Sequence, residues 1–202
     1  MALPIAHATA GYLVHRLDRR RCRSAGWPRA IAFLAIGNLP DVDFLFGFLI
    51  GRPGAFHRGI THTLLAAIVF GLGAGTFVWW RRQDRWWPAT LLCGAAYASH
   101  LLVDAFTIDQ RGPAGAQFFW PLSAAYYISP VTIFGEILID GASREGFIWS
   151  IVAWPTVRVL AREMLIAGVA LLSVQAMELV LASPAPPEAV GELAGGGEED
   201  LA

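Results

Sequence analysis

The chain has 202 residues, 55% of them hydrophobic and 15% charged, with a formal net charge of −1 and a mean hydropathy of +0.50. Soluble domains carry roughly 25% charged residues, so the composition excludes an ordinary soluble enzyme, and the near-zero charge gives nucleic acid nothing global to bind. The two cysteines, Cys22 and Cys93, are too few for a disulfide framework or a thiolate zinc site.

Taken in chain order, the first seventeen residues form a short apolar segment, marginal as a span and read as a tilted N-terminal helix. Its arginines follow the apolar stretch, the reverse of a secretory signal. Residues 1–29 hold six Arg against one Asp, and the positive-inside rule places them in the cytoplasm. Residues 30–50 predict a first span running outward, interrupted at Asn38–Asp43. Residues 51–62 follow as an external loop. Thr63–Trp80 is eighteen residues without a charge, closed by Arg81 and Arg82, and predicts the return span. Trp86–Phe106 predicts a third span, although it contains His100 and Asp104. Residues 107–160, rich in Gly, Pro and aromatics, read as external loops and short interfacial helices. Met164–Ala182 predicts the last span, with Gln175 and Glu178 in it. Trp79, Trp80, Trp86 and Trp87 read as interfacial anchors. Residues 183–202, with five acids and no base, read as a disordered tail. The expectation is an all-α, multi-pass membrane helix bundle. It has about four spans plus the tilted N-terminal helix, in one membrane-embedded unit over 1–182 at the inner (cytoplasmic) membrane.

Ionisable residues inside such segments are functional candidates, because they are costly there. His7, Asp41, Asp43, His57, His62, His100 and Asp104 all lie in or beside apolar stretches. Three mid-membrane aspartates approach ~8–10 kcal/mol on insertion scales, and a structural zinc contributes about 10–16 kcal/mol, enough to offset them. His100 and Asp104 are four apart, on one helix face, a spacing that suits two ligands of one cation. Asp41 and Asp43 follow Pro40, in the first turn after the break. His57 and His62, with Gly59 between them, place the first in a loop and the second at a helix start. Counting about 1.5 Å per residue from the arginine clusters puts His62 and Asp104 at roughly 28 Å, His100 at roughly 22 Å, Asp41 at roughly 18 Å and His7 at roughly 13 Å. His7 therefore joins the others only if its helix tilts or sits deeper. His15 is assigned to the basic cytoplasmic face. Each element also has a plainer reading: a buried His–Asp pair, helix capping by Asp41 and Asp43, or headgroup-level loop residues at His57 and Arg58.

Gly37–Asp43 (GNLPDVD), His57–His62 (HRGITH), His100–Asp104 (HLLVD) with Thr107, and Trp120–Ser123 (WPLS) together resemble the bacterial membrane-bound metal-dependent hydrolases. That family is also described as LexA-binding, inner-membrane-associated hydrolases. The resemblance covers about residues 3–125, and the family is distantly similar to zinc-dependent phospholipase C. It implies that His100 and Asp104 are a ligand pair, that Asp41 with His57 or His62 completes a first metal, and that His7 shares Asp104 with a second. The stretch between Thr107 and Trp120 is longer than the usual connection. No second cluster of His and Glu follows residue 125, which leaves one or two ions rather than three.

The function expected from these residues is metal-dependent hydrolysis. Zinc is preferred among divalent ions because the donors mix imidazole and carboxylate. The metal would polarise a phosphoryl or carbonyl oxygen and lower the pKa of an attacking water. Asp43 is the candidate general base, or a carboxylate orienting a ligand from behind, and Arg58 the candidate for holding an anionic substrate. Location in a membrane suggests a lipid-linked or small-molecule phosphoester. Two other classes remain: an ion- or proton-coupled transporter, against which no internal repeat is visible, and a non-catalytic scaffold docking a soluble regulatory partner through Arg19–Arg23 or the acidic tail.

Overall fold

A computed structural model describes residues 2–18, 26–82, 85–109 and 114–182. The acidic tail and Arg19–Arg23 lie outside the described residues. The chain is all-helical, with no β-strand among the described residues beyond two isolated bridges, Thr107 with Phe134 and Ala116 with Tyr127.

Among the described residues, seven α-helices follow the hydropathy. Helix α1 (Pro4–Leu17) begins with proline in its first turn, where the missing N–H costs nothing. Helix α2 (Gly26–Asn38) gives way to a 3₁₀ turn at Leu39–Val42 and resumes as α3 (Asp43–Leu49). Pro40 sits in that turn and cannot donate to a continuous helical ladder, which is why the break falls there. Helix α4 (Leu64–Arg82) opens on Thr63, whose hydroxyl accepts from the Ala66 N–H at 3.1 Å. Helix α5 covers Trp86–Ala105, and α6 covers Arg144–Val152, capped by Ser143 Oγ accepting from Gly146. Helix α7 runs Trp154–Ala182.

Among the described residues, three segments are long and apolar enough to cross a membrane: Gly26–Leu49, Leu64–Arg82 and Trp154–Leu181. Helix α5, expected as the third of four spans, is not among them. Its length is that of a span, but it holds Thr90, Ser99, His100 and Asp104, and it packs against α1, α2 and α4 in the middle of the bundle. The last helix starts at Trp154, ten residues before the expected Met164. Pro155 initiates it, and Arg158, Arg162 and Glu163 are accommodated within its first turns. At fourteen residues, α1 is too short to span on its own.

Small residues set the packing distances. A side-chain carbon on Gly71 of α4 would lie 3.0 Å from Gly94 Cα of α5, so these helices meet nearly backbone to backbone. Gly11 of α1 and Gly37 of α2 cross in the same way. Helix α7 touches the bundle mainly through α1 and runs parallel to it, since Glu163 meets Leu3 and Ala6 while Glu178 pairs with Arg16. Most of the apolar side chains of α4 and α7 face outward, as lipid-facing spans do.

The interior is correspondingly polar. The largest fully buried side chains are His7, His15, His62, His100 and Glu163, while the buried apolar clusters are small, around Phe33, Cys93 and Ala96 and around Ala2, Ala6 and Val103. His15 therefore departs from the expected basic face: it is buried between Tyr12 and Phe33 at the α1–α2 contact. The Trp79, Trp80, Trp86 and Trp87 rings are exposed, as interfacial anchors require. Away from the arginine-bearing end, Arg144 donates to the Phe48 and Leu49 carbonyls at 2.8 and 2.9 Å and satisfies the end of α3.

Candidate metal centre

Six elements bring the ionisable residues together. The 3₁₀ turn after α2 supplies Asp41, and the first turn of α3 supplies Asp43. The loop before α4 supplies His57, and the short 3₁₀ turn at its end, Ile60–His62, supplies His62. The last two turns of α5 supply His100 and Asp104. Helix α1 adds His7, whose ring stacks on His100 with centroids 3.7 Å apart. His57 in a loop and His62 at a helix start agree with the reading of their spacing.

The hydrogen bonds behind the rings decide which nitrogens face inward. His100 Nδ1 lies 2.9 Å from the Gly37 carbonyl, an acceptor, so it holds the proton and leaves a lone pair on Nε2. His62 Nδ1 lies 3.3 Å from Asp43 Oδ2 and 3.0 Å from Thr61 Oγ1, which places its proton there and its Nε2 lone pair inward as well. Those two Nε2 atoms are 3.2 Å apart. Two lone pairs cannot face each other at that distance without a proton or a cation between them. In the metal-free protein the proton belongs to His62: burial opposes its charge, but Asp41 and Asp43 outweigh burial and raise its pKa to about 9. His57 goes the other way. Burial lowers its pKa despite the neighbouring Asp43.

The same two nitrogens share their space with two carboxylate oxygens. Asp41 Oδ1 is 3.5 Å from each Nε2, and Asp104 Oδ2 is 3.6 Å from His62 Nε2 and 3.4 Å from His100 Nε2. A tetrahedral zinc with ligand bonds of 2.0–2.1 Å separates its donors by about 3.3 Å. The five edges that involve a ring nitrogen, 3.2–3.6 Å, are close to that separation, and His62, His100 and Asp104 lie close enough together to share one ion. Both oxygens of Asp41 and of Asp104 are buried without a hydrogen bond, as are both nitrogens of His7. Buried polar atoms ordinarily find partners, so this concentration of orphans points to a missing one.

The remaining candidates arrange around this set. His7 Nε2 lies 3.6 Å from the second oxygen of Asp104, and His7, Asp41 and His100 form another group close enough to share an ion. His57 Nδ1 is 3.3 Å from Asp43 Oδ1 and 3.8 Å from Asp41 Oδ1, on the outer side, and Asp41, His57 and His62 form a third such group. Between His57 and His62, the tight four-atom set thus contains His62. Asp43 has its oxygens engaged by Thr61, His57 and His62, so it orients rings rather than standing free as a base. Arg58 is paired with Asp109 and has a left-handed backbone, φ 62°. An anion reaching it must use guanidinium N–H groups that Asp109 leaves over.

Three contributors escaped the sequence. Thr61 lies inside the HRGITH element and bonds Asp43, while Tyr97 donates to the Thr61 carbonyl at 2.8 Å. Tyr97 lies one turn before His100, the only sequence signal it had. Glu163 on α7 is fully buried and accepts from the backbone N–H groups of Leu3 and Ala6, at 2.7 and 3.3 Å. It caps α1 one turn ahead of His7, and a span taken to begin at Met164 leaves it out.

Among known families, the model described as YdjM inner membrane protein matches residues 1–182. No curated protein and no solved structure matches the chain.

Proposed function

The chain belongs to the YdjM inner membrane protein family, and we propose that within that membrane setting it is a metal-dependent hydrolase of phosphoesters, zinc being the preferred ion. The observation supporting this reading is the convergence of His62, His100, Asp41 and Asp104 donors at tetrahedral separations around unsatisfied atoms. The arginine-bearing end faces the cytoplasm, by the positive-inside rule, and the centre lies in the opposite half of the bilayer.

Asp41, His62, His100 and Asp104 would hold the ion, with His7 beside the second oxygen of Asp104 for another. A cation held there supplies Lewis acidity toward a phosphoryl oxygen and lowers the pKa of a water. The chain's own groups do the rest. Gly37 and Asp43 fix the tautomers of His100 and His62 from behind, which keeps both Nε2 atoms free for a ligand role. His57, with Nδ1 against Asp43 and no hydrogen-bond partner at Nε2, can take or give a proton at that nitrogen on the outer side of the centre. Arg58 orients the anionic group, and the segment 114–143 covers the outer end, where Phe118 accepts from Leu64 N at 2.8 Å.

The test is the metal content of the detergent-purified protein by elemental mass spectrometry, beside Asp104→Ala. One or two zinc, manganese or iron ions per chain, largely lost in the variant, would support the site and justify a phosphoester screen. Absence of stoichiometric metal after controlled reconstitution would retire the mechanism.

A further inference from the structure

Two cavities flank the wall formed by His57 and Arg58. One, of about 350 Å³, is the more polar of the two: Arg52, Arg58, Asp109 and Glu136 line it beside Phe44, Ile137 and Ile139, with Arg58 and Asp109 paired to each other. The other, of about 630 Å³, has Phe46, Phe56, Ile60 and Tyr126 on its walls, with Asp43 and Thr61 also lining it. Ala55, His57 and Arg58 belong to both. Of these apolar walls, Phe46 lies near the end of the membrane segment Gly26–Leu49, Ile60 lies four residues before Leu64–Arg82, and Phe56 and Tyr126 come from loops. Phe46, Phe56 and Ile60 are 50–66% exposed. Large apolar side chains exposed beside a polar site would be unfavourable in water, but they match hydrocarbon at the rim of a bilayer.

We infer that the two cavities are the halves of one site for a membrane amphiphile. Its hydrocarbon chain enters the Phe46–Ile60 cavity from the bilayer, its polar headgroup fills the Arg52–Glu136 cavity, and its phosphate lies at the His57–Arg58 wall. The inference deepens the hydrolase reading and rests on it for the reaction: water adds across the phosphoester, its OH going to phosphorus and its remaining proton to the departing oxygen. The balanced charge of the polar cavity adds a specificity. A headgroup bearing hydroxyls or an amine can donate hydrogen bonds to this lining as well as accept from Arg52, whereas a bare phosphate can only accept.

The experiment uses the zinc-reconstituted full chain in nanodiscs. Calorimetric titration with n-alkyl phosphates of two to twelve carbons is corrected for partition into empty discs. Affinity should rise with chain length, at most about fourfold per methylene, the factor equivalent to ~0.8 kcal/mol. The long-to-short affinity ratio should collapse in Phe46→Asp and in Tyr126→Asp, two variants on different elements, so that misfolding of one leaves the other to decide. Arg52→Ala should weaken dodecyl phosphoglycerol more than dodecyl phosphate. Equal chain-length slopes in the wild type and both variants would overturn the inference, as would equal losses of the two probes in Arg52→Ala. The two readings also fail separately. Chain-selective binding with no ester cleaved would sink the hydrolase reading and keep the amphiphile site, and cleavage of soluble esters with no chain dependence of binding would do the reverse.

Discussion

Replacing Glu163 should loosen the centre from a distance. The first N–H groups of a helix have no partner within it, and α1 has no side-chain cap of its own. Glu163 fills that place from α7, at 2.7 Å to Leu3 N, and at 3.3 Å to Ala6 N, which also bonds the Leu3 carbonyl at 3.1 Å. The first is a full charge-assisted bond worth ~1.5–3 kcal/mol, and the second, being shared, adds less, so Glu163→Ala should cost about 2–4 kcal/mol. Removing a buried carboxylate also recovers some desolvation, which offsets part of the loss. Glu163→Gln keeps one acceptor oxygen and should cost about half as much. At ~2–4 °C per kcal/mol for a chain of this size, the alanine variant should melt about 5–15 °C lower in detergent. Because His7 sits one turn beyond the capped end, zinc bound in excess of the first ion should be lost before the four-donor set is affected. Unchanged melting and metal content in Glu163→Ala, or a glutamine variant worse than alanine, would refute the capping argument.

Gly37→Val should be damaging, because even its Cβ would lie 3.2 Å from Gly11 Cα and against the His7 carbonyl. The expected overpacking cost is about 1–3 kcal/mol or more, while Gly73→Ala, with open space around it, should melt no lower than wild type. Asp43→Asn should lower zinc affinity by roughly 10–100-fold yet keep full stoichiometry at saturation, whereas Asp104→Ala loses stoichiometry; a chelator-competition titration separates the two. Zinc binding should also strengthen from pH 6 to 8. His62, with its pKa raised to about 9, holds a proton over that range that the ion must displace. The affinity gain should be about tenfold per pH unit while one proton is released per ion. A pH-independent affinity would show that His62 Nε2 is not a ligand.

Much of the centre was legible because its signals are local. The four-residue spacing of His100 and Asp104 puts them on one face of any helix, and Pro40 forces a break wherever the surrounding chain is helical. Gly59 between His57 and His62 likewise makes a loop-then-helix reading natural. His7 was the weakest expectation, since counting residues from the arginines left it shallow. Two tertiary contacts bring it in: the Gly11–Gly37 crossing, which seats α1 against α2, and the Glu163 cap, which holds its end. His15 went wrong for a related reason. A histidine beside Arg16 reads as part of a charged face, and only the packing of α1 against Phe33 turns it inward.

Hydropathy by itself determined that this is a helical membrane protein with a few ionisable groups where apolar ones belong, because segment length and composition are properties of neighbouring residues. The choice of His62 over His57 for the inner set, the use of Asp43 as an orienting group and the recruitment of Glu163 were decided only in three dimensions. Each depends on which atom of one helix lies within a few ångströms of an atom on another, and lipid-facing spans leave that choice to close glycine contacts and buried polar pairs rather than to a large apolar core.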